Sequence, residues 1–357
     1  MPRLWEVPVH DSTRVRDVRV AARDAAGRAL LPEDRVAAAE LVATELATNL
    51  LKHAGGGRVL LDLVVPATPS YGDDPLRLVQ IVAIDHGPGI ADVETALMDG
   101  FSTRDSLGAG LGTCRRTSDG FGLHSVPGKG TVAMARIGPR TDRPGTGPYP
   151  PQVPVRAGGV NVPLAGGEYS GDAWTCVRTA DRVTLMLADG LGHGPQAARA
   201  SSAATHALHQ AAHLPPDELL RRMHTALRET RGAAVAVAQL DVSAGQLYFA
   251  GVGNAGARLR RGDTWHGLVS RPGIVGAHLP THVHQHREDW TPDSLLVLHS
   301  DGLPSRWNPG AATGGPPLLD PAVVAASIVR DASSSARPVR DDTAVAVLSP
   351  SPPDRSS

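Results

Sequence analysis

The sequence predicts a two-domain α/β chain, and three observations carry that reading. A stretch rich in Pro and Gly, "GPRTDRPGTGPYPPQVPVRAGG" (138–159), has no apolar period and reads as a linker. Before it, a long helix-periodic segment is followed by apolar strand runs. After it, many short apolar runs enclose a helical hairpin, the pattern of two stacked sheets flanked by helices. The 357 residues are enough for two separate cores. The expected division is a first domain over 1–137, the linker over 138–159, a second domain over 160–349 and a disordered tail over 350–357.

In the first domain a short strand and a helix come first. The segment "PEDRVAAAELVATELATNLLKHAGGG" then repeats Val42, Leu46 and Leu50 every four residues, one apolar stripe of a helix. Glu45, Asn49, Lys52 and His53 fall on a second, polar stripe, and the glycines from Gly55 stop the helix. Strands are expected at 58–65 and 76–84, with a hairpin loop "PATPSYGDDP" (66–75) between them. A helix at 92–98, a Gly-rich segment, another helix and a last strand at 131–136 complete the α/β layer. In the second domain strands are expected at 174–178, 183–187, 233–241, 246–252, 257–260, 295–299 and 343–348, and helices at 196–212 and 216–231.

Bulk composition narrows the function. Net charge is −1, so no overall field draws the chain to nucleic acid or to a membrane. Aromatic residues make up 3%, so the cores must be built from Ala, Val and Leu. Cys114 and Cys176 have no metal-type spacing and read as reduced thiols of a cytoplasmic protein. The first twenty residues hold no apolar signal core, and no apolar run reaches membrane-spanning length.

Three pieces of the first domain suit a nucleotide. Asn is a poor helix-interior residue, so Asn49 on a polar stripe calls for a reason; its amide oxygen suits Mg²⁺ with phosphates. Glu45, one turn earlier, could accept a proton from an incoming hydroxyl. Asp85 ends the apolar run of "IDHGPGI" and can accept a hydrogen bond from an exocyclic amine, while Gly87 and Gly89 let the backbone approach the base. Gly108, Gly110 and Gly112 precede a helix, where backbone N–H groups cradle phosphate. Each piece alone is commonplace; their order within one domain is specific. "ELATNLLKHAG", "IDHGPGI" and "GLGTCRRTSDGFGLHSVPGKGTVAMAR" resemble the N, G1 and G2 boxes of the GHKL ATPase fold, in its RsbT/RsbW-like serine/threonine kinase branch. The resemblance implies an α/β sandwich of a mixed sheet with a helical layer. It also implies ATP and Mg²⁺ as cofactors, Asn49 on the metal, Asp85 on adenine with Thr131 beside it, Glu45 as base and the 108–112 glycines on phosphates. A sensor histidine kinase is set aside, because only His10 precedes the N box and no dimerisation hairpin does.

In the second domain Asp172, Asp189 and Asp301 lie in "GGEYSGDAW", "LADGLGHG" and "LVLHSDGL", and Asp342 in "RDDTAVAVL". Asp-Gly pairs are ordinary turn signals. Acids that adjoin strands, however, can converge at one rim of a two-sheet core, where they repel unless cations neutralise them. All-oxygen donors favour Mg²⁺ or Mn²⁺, and two such ions can activate a water. In this reading Asp189 bridges the ions and Gly190 offers its carbonyl. His193 reads as a hydrogen-bonded structural residue, and His282, His284 and His286 lack a fourth zinc ligand. "ADGLGHGPQAARAS" and "SRPGIVGAHL" resemble the RsbX/SpoIIE-like PPM-type protein phosphatases. That resemblance implies an α-β-β-α sandwich and two Mn²⁺ or Mg²⁺ ions on Asp172, Asp189, Asp301 and Asp342, with Asp341 as alternative or addition.

Two opposed chemistries on one chain point to a bifunctional partner-switching regulator, a Ser/Thr kinase and a phosphoserine/phosphothreonine phosphatase. The resemblance implies a STAS-domain partner, RsbS- or RsbR-like or an anti-anti-sigma factor. A sigma factor and a second copy of the chain, as a homodimer, stand as further candidate partners. The rival readings are an ATP-binding holder fused to an active phosphatase, and a scaffold in which both sites are regulatory.

Overall fold

The computed structural model describes residues 3–65, 77–97, 110–140, 155–304, 307–308, 319–333 and 339–351. The expected hairpin loop at 66–75 and the lid residue Gly108 lie outside these.

The N-terminal half starts with β1 (Trp5–Val9) and two helices, α1 (Ser12–Arg28) and α2 (Glu33–Ala54). Asp11 caps α1 by accepting from the Thr13 and Arg14 N–H groups; Gly55, at φ 72°, ends α2 in the left-handed region. Then follow β2 (Gly57–Val64), β3 (Leu78–Ile84), α3 (Val93–Ala96), α4 (Gly110–Thr117), β4 (Gly120–Val126) and β5 (Gly130–Ile137). The strands form one sheet in the order β1-β2-β3-β5-β4. The sheet was expected to be mixed, yet every described pairing is antiparallel. The helices α1 and α2 come as a pair with a short joint, so the chain returns to the sheet end it left and β2 runs back along β1. One face of this sheet packs Val59, Leu61, Ile81 and Ala135 against Val18, Ala39, Val42 and Leu46 of α1 and α2.

The C-terminal half opens with β6 (Val155–Val162), where the sequence reading placed linker as far as residue 159. The glycines that suggested a linker serve close packing instead: a Cβ on Gly159 would lie 2.6 Å from the Val345 carbonyl oxygen. A 3₁₀ turn at Leu164–Gly166 leads to β7 (Asp172–Arg178), β8 (Arg182–Gly190), α5 (Pro195–Ala211) and α6 (Pro216–Ala226). Next come β9 (Ala233–Asp241), β10 (Gln246–Val252), β11 (Gly256–Arg261), β12 (Thr264–Leu268), β13 (His286–Asp289) and β14 (Leu295–His299). The last elements are α7 (Pro321–Ala332) and β15 (Thr343–Pro350). Two sheets result, β13-β10-β9-β8-β7 and β12-β11-β14-β15-β6. Leu185, Leu187, Ala236 and Phe249 of the first meet Leu259, Leu296, Leu298 and Leu348 of the second in the core between them. The helices α5 and α6 cover the outer face of the first sheet through Leu208, Leu219, Leu220 and Met223.

Helix α7 belongs to both halves. It is buried on every side from Pro321 to Arg330, as an all-round apolar helix must be. Val160, Val162, Val297, Val345 and Val347 of the C-terminal half pack in one cluster with it, and so do Leu60, Val82, Ile84, Val132 and Met134 of the N-terminal sheet. The described layers therefore stack as helices, sheet, α7, sheet, sheet, helices. Polar bonds tie the seam. Asp320 accepts both terminal nitrogens of Arg136 at 2.8 and 2.9 Å, and Gln80 donates to the Gly159 carbonyl at 2.9 Å. His86 Nε2 lies 3.0 and 2.9 Å from the carbonyl oxygens of Arg330 and Ser333 at the end of α7.

Candidate functional site

A cavity of about 330 Å³ opens between α2, α4 and the loop after β3. That volume is at the small end of ordinary ligand sites. Asn49, Asp85, Gly89, Gly110 and Thr131 line it, together with His53, Ile90 and apolar side chains. Asp85 follows β3 and is 7% exposed. Its Oδ1 accepts the N–H groups of Gly87 (2.8 Å) and Thr131 (3.1 Å), and no bond is formed by Oδ2 among the described residues. Burial raises the Asp85 carboxyl above its usual range, and these N–H bonds oppose the shift. A carboxylate held by one oxygen leaves the other for a ligand amine. Asn49 turns a half-buried amide to the cavity, and its Nδ2 is buried without a hydrogen-bond partner. Such an orphaned amide fits a bound polar group better than it fits an empty apolar cleft.

The glycines act by closeness. A Cβ on Gly87 would lie 2.7 Å from the Ala54 Cα, and one on Gly89 (φ +73°) 2.4 Å from the Val126 carbonyl oxygen. The loop could not sit on α2 and β4 with any larger residue. Gly112 is buried in α4. Glu45 does not line the cavity: it lies toward α4, where its charge adds to burial in pushing the Cys114 thiol up to about 12. Sequence reasoning missed two supports. Ser125 Oγ accepts the Ile90 N–H at 2.7 Å and meets Thr131 Oγ1 at 2.9 Å, pinning the glycine loop to β4 and β5. Gly130, at φ +96°, has no room for a Cβ, which would stand 2.1 Å from the Asp85 carbonyl oxygen.

The second site lies at the rim where β7, β8, β14 and β15 begin or end. Asp172 and Asp189 face each other in register across β7 and β8. Burial first, and then the charges of Asp301, Asp341 and Asp342, push Asp189 up to about 7. Burial and the Asp189 charge hold Asp172 well above the usual carboxylate range. Asp172 Oδ2 is buried without a hydrogen-bond partner. Buried acids that repel one another, one with an orphaned oxygen, have the chemistry of a hard-cation site. Among the described residues no three such side chains are grouped as ligands of one ion. Asp301, just past β14, accepts from the Asn254 amide at 2.5 Å. Asp342 accepts the Leu164 and Gly171 N–H groups at 2.7 Å each, one on each of its oxygens. Asp341 is exposed beside it and ranks ahead of Asp342 in its effect on Asp189. Gly190 packs so tightly on α5 that a Cβ would lie 2.2 Å from the Ala197 carbonyl oxygen. His193 is exposed on the same turn.

The fold thus carries two separate candidate sites, the cavity beside α2 in the N-terminal half and the aspartate rim in the C-terminal half. Comparison with known proteins agrees. Residues 9–136 match the family described as histidine kinase-like ATPase domain, and residues 179–350 match stage II sporulation protein E (SpoIIE). The two halves of the chain thus match two different family models, the ATPase-domain model over the first sheet and its helices and the SpoIIE model over most of the two-sheet half. The serine/threonine-protein kinase RsbT of Bacillus subtilis is 40% identical over 92 residues, 26% of this chain and 64% of that relative's length. A solved structure described under the bacterial stressosome is 27% identical and covers 54% of this chain and 98% of its own, with a TM-score of 0.49. A crystal structure of RsbX with magnesium is 20% identical and covers 55% and 96%, with a TM-score of 0.48. No helix among the described residues is long and apolar enough to cross a membrane.

Proposed function

We propose that this chain writes and erases phosphate on serine or threonine of a STAS-domain partner in a cytoplasmic partner-switching circuit. The observation that carries the reading is the presence on one chain of two unlike sites: a cavity with a half-satisfied Asp85, and a rim of mutually repelling aspartates. Likeness to RsbT supports the kinase half and the class of partner. A sigma factor and a second copy of the chain remain proposed partners of lesser support.

At the nucleotide site Asp85 would take the adenine amine through its free oxygen, with Thr131, Gly87 and Gly89 shaping the base pocket. Asn49 would hold Mg²⁺ on the phosphates, and the 108–112 glycines would cover them. At the rim two divalent ions, Mn²⁺ or Mg²⁺, would polarise the phosphoester and lower the pKa of a water. Asp172 and Asp189 would hold them with Asp301 and the Gly190 carbonyl. The fourth ligand would be Asp342 or the exposed Asp341 beside it; Asp342 also fixes the loop at Leu164 and Gly171 by accepting one N–H on each oxygen.

One observation favours the holder as a second reading. Glu45, the proposed base, stands outside the cavity. The test uses the full chain, a STAS protein, Mn²⁺ and γ-labelled ATP, with wild type beside Asp189→Asn. Label that accumulates on the STAS protein in the variant and decays in wild type supports both activities. Absence of label with either protein, while ATP still binds, assigns the first domain to holding.

A further inference from the structure

We infer that Arg231 is the substrate-phosphate clamp of the phosphatase site, an inference that rests on the hydrolytic reading of the aspartate rim. Arg231 stands two residues before β9, and β9 pairs with β8 so that Asp189 faces Ala234 and Gly190 faces Ala233. The turn after β8 is tied to this segment by the Leu191 N–H donating to the Gly232 carbonyl at 3.0 Å. Gly232, at φ +85°, turns the chain there, and a Cβ on it would strike Ile274 and the Val275 carbonyl oxygen. The result places the Arg231 guanidinium beside the turn after Asp189: Nη1 lies 3.0 Å from the point a Cβ on Gly192 would occupy. Gly192 (φ +86°) thus leaves the room that the guanidinium uses. Arg231 is exposed, and among the described residues it forms no hydrogen bond or ion pair.

Charge explains why such a group belongs there. The charges of Asp301, Asp341 and Asp342 act on Asp189, and the Asp189 charge acts in turn on Asp172. Together these five carboxylates outweigh two divalent ions by one negative charge. A phosphoserine brings between one and two more negative charges near pH 7. A cation above the ions offsets that repulsion, and a guanidinium does so with paired N–H donors that match phosphate oxygens. During hydrolysis a water oxygen bonds phosphorus, the bond to the seryl oxygen breaks, and that oxygen gains a proton. Arg231 takes no part in the proton transfer; it holds the non-bridging oxygens of the phosphate in the substrate and in the released product.

The experiment uses the full chain with Mn²⁺, comparing wild type, Arg231→Ala, Arg231→Lys and Arg222→Ala, an equal charge change on exposed α6 surface. Kinetics on a phosphoserine peptide give kcat and KM; calorimetry gives binding of inorganic phosphate and of Mn²⁺. Loss of one charge-assisted contact predicts a KM and a phosphate Kd raised about 10- to 100-fold in Arg231→Ala, with Lys partly restoring both. Mn²⁺ affinity and kcat change far less, and Arg222→Ala matches wild type. A phosphate Kd in Arg231→Ala within twofold of wild type overturns the inference, and so does a loss of Mn²⁺ affinity equal to the loss of phosphate affinity. If wild type hydrolyses no phosphopeptide, the hydrolytic reading fails; the phosphate titration still decides the clamp, because it needs no turnover.

Discussion

Replacing Asp320 by Ala should loosen the seam between the two halves, and the expected loss can be worked from its contacts. Asp320 accepts both terminal nitrogens of Arg136 and also the Ala322 N–H at 2.8 Å, which caps α7. Burial by itself would raise its pKa; the Arg136 charge and hydrogen bonds outweigh that and hold the carboxyl below its usual range. The Arg136 side chain is 3% exposed. The variant takes the carboxylate away from that buried guanidinium, which keeps its 2.9 Å bond to Gln80 Oε1. Breaking one side of a buried pair costs about 3–5 kcal/mol, and losing an N-cap about 1 kcal/mol more. The total of about 4–6 kcal/mol corresponds to a urea midpoint lower by roughly 2 M if unfolding of the seam exposes enough surface for a slope near 2–3 kcal/mol per M. Urea titration followed by tryptophan fluorescence should show it, and calorimetry should show the two halves melting further apart in the variant than in wild type. Asp320→Asn, which keeps a cap acceptor, should lose less. Arg136→Met added to Asp320→Leu should regain most of the loss, since no buried charge is then left unpaired. A loss under about 1 kcal/mol in Asp320→Ala, with cooperativity unchanged, would refute α7 as a shared structural layer.

Asp62 lies next to Gln80 on the face of the N-terminal sheet turned to α7, and burial pushes it up to about 7. A raised carboxyl pKa favours the protonated fold, so this contribution is intact below about pH 4 and is lost as pH rises toward 7. Asp62→Asn should therefore gain on wild type between pH 5 and pH 8, by about 1–3 kcal/mol after discounting for the residue's partial exposure; a pH-independent difference in thermal melting would contradict the assignment. Gly130→Ala should cost about 2–4 kcal/mol and weaken ATP binding at least tenfold by displacing Asp85. Gly128→Ala, also at positive φ (+78°) but with open space around its Cβ, should cost only about 1 kcal/mol, and equal calorimetric binding by the two would refute the crowding argument. Added Mn²⁺ should raise the melting temperature of wild type and leave Asp189→Asn nearly unmoved; an equal rise in both would remove Asp189 from the metal set.

Much of the fold could be read locally. The four-residue spacing of Val42, Leu46 and Leu50 gave α2, and the runs ending at Asp85 and Asp189 gave β3 and β8 within a few residues. The weakly apolar strand β4, half-buried throughout, and β6, with its two glycines, carry too little period to be found. "DPAVVAASIVRDA" has no polar stripe, so its pattern cannot say which surface it covers; it covers two.

The sequence by itself determined which two families the halves of this chain resemble, because the boxes around Asn49 and Asp85 and the Asp-Gly turns are short, contiguous and dictated by local backbone needs. Only the tertiary structure shows which distant residues the aspartates and arginines meet. Asp342 meets Leu164 and Gly171, Arg231 meets the Gly192 turn, and Arg136 meets Asp320, pairs separated by as many as 184 residues. Contacts of that kind depend on how sheets stack and register, which no local pattern encodes.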